Sequence, residues 1–369
     1  MPEVPFLDLK AHIAPLREEL DTAVRRVVDS GWFVLGPEVE AFERELASAF
    51  EAREAVAVAN GTEALQLSLA ALGLGPGDEV VTTSLSAAFT GLAILAVGAR
   101  PVFVDIDPET LNLDPQAVAR AVTPRTRALL PVHLHGHPAA MDPILACARE
   151  HGIAVVEDAC QAHGARYRGR TAGTLGACGA LSFYPTKNLG ALGDGGAILV
   201  GDPELAERLR RLRNGGQADR YRHEEAGINS RLDELQAAIL RVGLRHLPAW
   251  TARRRELAAF YRRELDGAGV ALPVERGEVE AVHHLYVVRH PRRDALMAAL
   301  GERGIGTLIH YPIPLHLQPA FASSGGTPGA LPVVEQAAEE IVSLPLYPEM
   351  TDEQAHAVVA AVRDVVPHV

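Results

Sequence analysis

From residue 55 onward the chain alternates short apolar runs with stretches whose apolar positions recur at helical spacing. The runs AVAVA (55–59), EVVTT (79–83), PVFVDI (101–106) and ALLPVHL (128–134) each read as a buried strand. An amphipathic segment follows each one: a helix from Thr62, one over 88–97, one after Asp114 and one over 139–151. A fifth run, 153–156, ends on the acids Glu157 and Asp158, and further strands are predicted over 180–184 and 197–200. This alternation predicts an α/β fold, a large and mostly parallel sheet wrapped by helices. Ligands of such sheets sit beyond the carboxyl ends of the strands, where Asn60, Asp158 and Lys187 fall.

The flanks complete the organisation. Residues 11–30 carry helical spacing that ends near Ser30 and Gly31, and Gly36-Pro37 opens a helix with Val39, Phe42 and Leu46 on one side. Helices are predicted over 203–213, 230–245 and 250–265. After Pro273 the pattern changes to a strand (284–290), a helix to about Gly301, a strand (306–311) and a closing helix (351–365). That succession predicts a smaller α+β domain, with a large domain over 1–250 and the small one over 251–369.

Composition narrows the class. Across 369 residues, 48% hydrophobic content is enough for packed cores, and a net charge of −12 argues against a nucleic-acid or membrane-surface role. Three cysteines without paired spacing, no basic-then-apolar leader and no membrane-length run point to a cytoplasmic protein with reduced thiols.

Candidate chemistry gathers between residues 153 and 199. Of the 35 lysines and arginines only two are lysine, Lys10 and Lys187. An arginine substitutes for a surface lysine, yet its guanidinium stays protonated and cannot act as an imine nucleophile. Lys187 lies among small residues, with glycines at 190, 193, 195 and 196, and reads as a Schiff-base lysine. Asp158 supplies the matching half, because pyridoxal phosphate needs a carboxylate against its ring nitrogen to act as an electron sink. Asn60-Gly61-Thr62-Glu63 follows a strand and opens a helix. Alone it reads as an ordinary cap at Thr62; beside Asp158 and Lys187 it reads as a phosphate cradle. His133, His135 and His137 alternate like a strand end but lack a carboxylate or thiol to complete a metal set, so no metal is expected. Cys160 reads as a small buried residue rather than a reactive thiol.

The chain resembles the DegT/DnrJ/EryC1/StrS group of pyridoxal-phosphate sugar aminotransferases, which have the aspartate aminotransferase fold, fold type I. The likeness runs through PFLDLK, SGWFVLGPEVEAFE, NGTEAL, VHLHGHPAAMDPI, EDACQAHGA, SFYPTKNLGALGDGGA, INSRLDELQAA and HYPIPLHLQPAF. It implies that Lys187 holds pyridoxal 5'-phosphate covalently and moves the proton, with pyridoxamine 5'-phosphate as the intermediate form. Asp158 would pair with the ring nitrogen and Gln161 with the ring hydroxyl. Gly61, Thr62 and Ser182 would hold the phosphate, together with Asn229 from the other subunit of a homodimer. Tyr184, Tyr311 and His316 would line the sugar pocket. Where many members carry an aromatic ring against the cofactor, this chain has Ala87, so stacking would come from Phe89 or a partner residue, or be weaker. The form SFYPTKNLGALGDGGA is similar to members acting on 3-ketosugars. The implied reaction passes an amino group from an amino acid, glutamate, to a nucleotide-linked sugar, a dTDP-3-keto-6-deoxyhexose. A 4-ketosugar or a cyclitol ketone is the alternative substrate. A non-catalytic, cofactor-binding regulator is the alternative of another class, although members that lost transamination replace the lysine that this chain keeps.

Overall fold

The structure, a computed structural model, describes residues 3–369. The predicted apolar runs become seven strands: β1 (Glu54–Val58), β2 (Glu79–Thr83), β3 (Arg100–Val104), β4 (Thr126–Leu130), β5 (Ala154–Asp158), β6 (Cys178–Ser182) and β7 (Gly196–Val200). They form one sheet in the order β1-β7-β6-β5-β4-β2-β3. β7 is antiparallel to both β1 and β6, and the remaining neighbours pair in parallel. Strands β2, β5 and β7 are buried on both faces, which is why they read as unbroken apolar runs rather than alternations. On one face Leu65, Leu69, Val80, Ile94 and Leu130 pack with the helix Gly61–Ala71. On another, Phe42, Phe50, Phe183, Leu181 and Leu240 form a second core.

The two helices expected over 230–245 and 250–265 are one, Glu234–Leu265, with Pro248 inside it. An interior proline costs a helix about 3 kcal/mol, so packing on both sides must outweigh the break. Ahead of Pro248, Leu244 and Leu247 are in the sheet's core; beyond it, Leu257, Ala258, Tyr261 and Leu265 join a separate core with Tyr286, Leu300, Tyr347 and Val358. Residue 250 therefore lies within a helix that serves both cores. The first residue of that helix, Glu234, also accepts hydrogen bonds from the amides of Gly36, Glu38 and Val39, capping the helix Pro37–Ala49.

The expected strand over 306–311 does not form. Its start is drawn to the N-terminal segment, where Val4 donates to Gly304 and accepts from Gly306, and only Leu308 bridges to Ser343. The partner of strand Tyr286–Arg289 is instead Ile341–Leu344. The helix before it, Pro332–Glu340, was not anticipated; Asp105 caps it by accepting from the amides of Val333 and Val334.

Candidate active site

The carboxyl ends of β1, β5 and β6 meet where the sequence placed its chemistry. Helix Gly61–Ala71 starts directly after β1, and its cap is Asn60, whose side chain accepts from the Glu63 amide at 2.9 Å. The cap is thus two residues ahead of Thr62, which leaves the hydroxyl of Thr62 and the first amides of the helix available to an anion. A Cβ on Gly61 would lie 2.7 Å from the Ser182 Cβ and 2.9 Å from the Cys160 Sγ. Gly61, Ser182 and Cys160 thus come from three separate segments to one spot. On the other side, a Cβ on Gly196 would lie 2.4 Å from the Asn60 carbonyl, so the returning strand β7 can pass this turn only as glycine.

Asp158 ends β5 and is buried. Its Oδ2 accepts from the Thr90 hydroxyl at 2.8 Å and its Oδ1 from the Cys160 amide at 3.2 Å. Behind it Glu157 is fully buried and accepts from the amides of Gly173, Leu175 and Gly176 and from the His133 ring. His133 Nδ1 accepts from the Ala139 amide, so its proton sits on Nε2. Gln161 bridges two segments: its Oε1 accepts from the His135 amide at 2.7 Å, and its Nε2 donates to the Tyr311 hydroxyl at 3.0 Å. Burial and the nearby Asp158 push the Tyr311 hydroxyl up to about 12.

Lys187 lies in the turn that follows β6 rather than on the strand, and its amide donates to the Tyr184 carbonyl. Burial removes the hydration an ammonium needs and lowers the Lys187 pKa, against the opposing pull of Cys160 and Asp158. Histidines gather around it in neutral form. Burial, with the Lys187 charge second, takes His163 to about 3 and His310 to about 4, and holds His284 well below its ordinary range. Asn188 fastens the lysine turn to the C-terminal part of the chain, donating to the Val282 carbonyl at 3.1 Å and pairing with His284 Nδ1 at 3.2 Å. Burial raises the Cys160 thiol well above its usual range, so it is a thiol and not a thiolate.

The remaining expected residues lie further out. Tyr184 is 53% exposed. His316 is buried with both ring nitrogens engaged, Nδ1 with Ser84 at 2.7 Å and Nε2 with Glu335 at 3.1 Å. Asn229 is exposed on this chain, beyond a backbone bridge to Asn214. The three alternating histidines point to three different partners: His133 to Glu157, His135 to the His310 carbonyl and His137 to the Pro138 carbonyl. Ala87 caps the helix Ala88–Ala96, and Phe89 in its first turn is 60% exposed. Thr90, Ser86 and Asn188 were missed. Only Asn188 had a signal, its place directly after the lysine.

This strand order and site define fold type I of the pyridoxal-phosphate-dependent aminotransferases, and solved structures of that class superpose closely. One is Streptomyces venezuelae DesV in complex with a ketimine intermediate, at a TM-score of 0.98 and 53% identity over 100% of both chains. Another is NtdA from Bacillus subtilis with its bound cofactor PMP, at a TM-score of 0.93 and 33% identity, covering 100% of this chain and 86% of that one. Among curated relatives, the dTDP-3-amino-3,4,6-trideoxy-alpha-D-glucose transaminase of Streptomyces venezuelae is 53% identical, over 98% of this chain and 96% of its own length. The family model matches residues 15–363, and the chain belongs to the DegT/DnrJ/EryC1/StrS aminotransferase family.

Proposed function

We propose that the protein is a pyridoxal-phosphate-dependent aminotransferase that passes the amino group of L-glutamate to a nucleotide-linked ketosugar, a dTDP-3-keto-6-deoxyhexose. The observation that carries this reading is the end-to-end 53% identity to a transaminase named for a dTDP-3-amino sugar.

The residues fit the cofactor. The close approach of Gly61 to Ser182 and the free amides at a helix N-terminus suit a phosphate. Asp158 offers a carboxylate to a ring nitrogen, Gln161 an amide to a ring hydroxyl, and Lys187 an amine for the covalent link. Asn229, exposed on its own chain, would complete the phosphate site of a second copy in a homodimer. When bound, the cofactor supplies the electron sink that lets a carbon–hydrogen bond beside nitrogen break.

The chain's own groups then do the proton work. With its pKa lowered by burial, Lys187 Nζ is available as a base nearer neutral pH than an exposed lysine. Nζ takes a proton from the amino acid's α-carbon and, in the second half-reaction, delivers one to the sugar carbon. Transfers of this kind contribute roughly 10²–10⁴-fold each. The neutral imidazoles of His163, His284 and His310 add no competing positive charge to the enclosure. Tyr184 and Tyr311 would line the sugar side, and His316, its nitrogens taken by Ser84 and Glu335, would bound it. The large N-terminal domain carries the cofactor side, and the small C-terminal domain contributes Tyr311 and His316. Three unpaired cysteines support a reducing compartment, the cytoplasm, and no helix among the described residues is long and apolar enough to cross a membrane.

The test is a visible spectrum of the purified protein, repeated with glutamate and on Lys187→Ala, followed by a panel of 3-keto and 4-keto sugar nucleotides. A yellow band that glutamate bleaches, absent from the variant, and turnover of the 3-keto substrate are expected. A chain that takes up no pyridoxal phosphate overturns the reading. A yellow chain that no amino donor bleaches shifts it to a regulator.

A further inference from the structure

Asp158 is the end of a chain of hydroxyls as well as the end of a strand. The Ser86 and Thr90 hydroxyls are 2.8 Å apart, and Thr90 is 2.8 Å from Asp158 Oδ2. All three side chains are buried, with Ser86 at 3%, Thr90 at 1% and Asp158 at 6% exposure. An ionised carboxylate can only accept, so the single hydroxyl proton of Thr90 points at Asp158. Thr90 must then take its own incoming hydrogen bond from Ser86. Direction is therefore fixed: Ser86 donates to Thr90 and Thr90 donates to Asp158. Each dipole polarises the next.

The helix adds to this. Thr90 lies in the first turn of Ala88–Ala96, whose N-terminus is a region of partial positive charge. Its placement is rigid, because the adjacent Gly91 leaves no room for a side chain: a Cβ there would lie 2.6 Å from the Phe321 ring. The Cys160 amide holds the other oxygen, so both Asp158 oxygens are held.

We infer that Ser86 and Thr90 form a one-way hydrogen-bond relay that holds Asp158 in one rotamer, making Thr90 a positioning residue for the cofactor's ring nitrogen. This rests on the reading of Asp158 given above. Thr90 acts through Asp158, so its loss weakens the pairing without touching the phosphate cradle or Lys187.

The experiment compares the holoenzyme with Thr90→Val, Thr90→Ser and Ser86→Ala. The readouts are pyridoxal phosphate affinity by titration of the apoprotein, the bound-cofactor spectrum, and kcat and KM. Hydrogen bonds to charged groups are the stronger ones, so Thr90→Val is expected to weaken cofactor binding about ten- to a hundredfold. It should also alter the spectrum and lower kcat while leaving the sugar KM unchanged. Ser86→Ala, one bond further away, is expected to lose about threefold, and Thr90→Ser to bind within about twofold of the parent because it keeps the hydroxyl. A folded Thr90→Val variant with the parent's affinity and spectrum overturns the relay alone. So does a Thr90→Ser variant that is no better than Val, which would mean that Thr90 acts by packing. A parent protein that binds no pyridoxal phosphate overturns the reading of Asp158, and the relay's purpose with it.

Discussion

Gly61 and Ser182 approach so closely that a Cβ on the glycine would lie 2.7 Å from the serine Cβ, a separation side chains do not adopt. Two segments more than a hundred residues apart are thereby locked into one cradle. Overpacking a rigid site costs about 1–3 kcal/mol, and here it would fall on the proposed phosphate position. Gly61→Ala is expected to weaken pyridoxal phosphate binding about five- to 150-fold, at about 1.4 kcal/mol per factor of ten, measured by titrating the apoprotein. Gly201→Ala, where nothing lies within 4 Å, is the control and should bind as the parent does. Equal affinity in the two variants would remove the cradle from the account.

Lys187 makes stability depend on pH in a stated direction. Its folded pKa is lowered from the ordinary 10.5 by burial. Between that lowered value and 10.5 the unfolded chain binds more protons than the folded one, so apoprotein stability rises with pH across the window. Below the window the full burial penalty applies. Lys187→Met removes the charge and keeps the bulk. It should melt above the parent apoprotein at neutral pH, with the gap closing as pH approaches 10.5. Thermal melts of both apoproteins at several pH values check this, and a variant that is never the more stable would show that the lysine is not desolvated.

Much of this was legible because fully buried strands leave a strong pattern. EVVTT became β2 residue for residue, and the acids after 153–156 mark the end of β5. Asp158 and Lys187 stood out because each chemistry permits few residue types. Strand direction left no such mark: β7 reads like its neighbours, and its antiparallel course shows only in the pairing. Residues 230–245 and 250–265 read locally as two helices, whereas two cores hold a single helix through Pro248. The segment 306–311 has strand composition, but its first amide goes to Val4, some 300 residues earlier in the chain, and only Leu308 pairs with Ser343. Thr90 was invisible for the same reason, since a threonine in an apolar helix gains meaning only from the carboxylate that folding brings to it.

The carboxylate of Glu157 supports the site from beneath. It accepts four hydrogen bonds, from Leu175 and Gly176 at 2.7 Å each, Gly173 at 2.8 Å and His133 at 2.9 Å. Glu157→Gln keeps the shape but turns an amide donor towards groups that are themselves donors. Leaving a buried donor unsatisfied costs about 1–3 kcal/mol, and more than one donor faces the new amide, which urea unfolding of the apoprotein should register. Because Asp158 is the next residue, cofactor affinity should fall as well. A variant within about 1 kcal/mol of the parent, the typical net worth of one hydrogen bond, would mean the cluster is dispensable.

Asn229 offers a test of whether the site is shared between two copies. It is exposed on its own chain, while Lys187 is partly buried in the site. If Asn229 serves the neighbour's phosphate, Lys187→Ala and Asn229→Ala damage different sites of a mixed dimer. In that dimer one site carries both substitutions, and the other pairs an intact Lys187 with an intact Asn229. Each variant alone should be nearly inactive, the first for want of the amine and the second for want of a phosphate ligand. Co-refolding the two should restore activity, up to about half of the parent's per mixed dimer, because one of two sites is whole. Activity that stays at the level of the separate variants, with mixed dimers demonstrated by native mass spectrometry, would show that Asn229 serves its own chain.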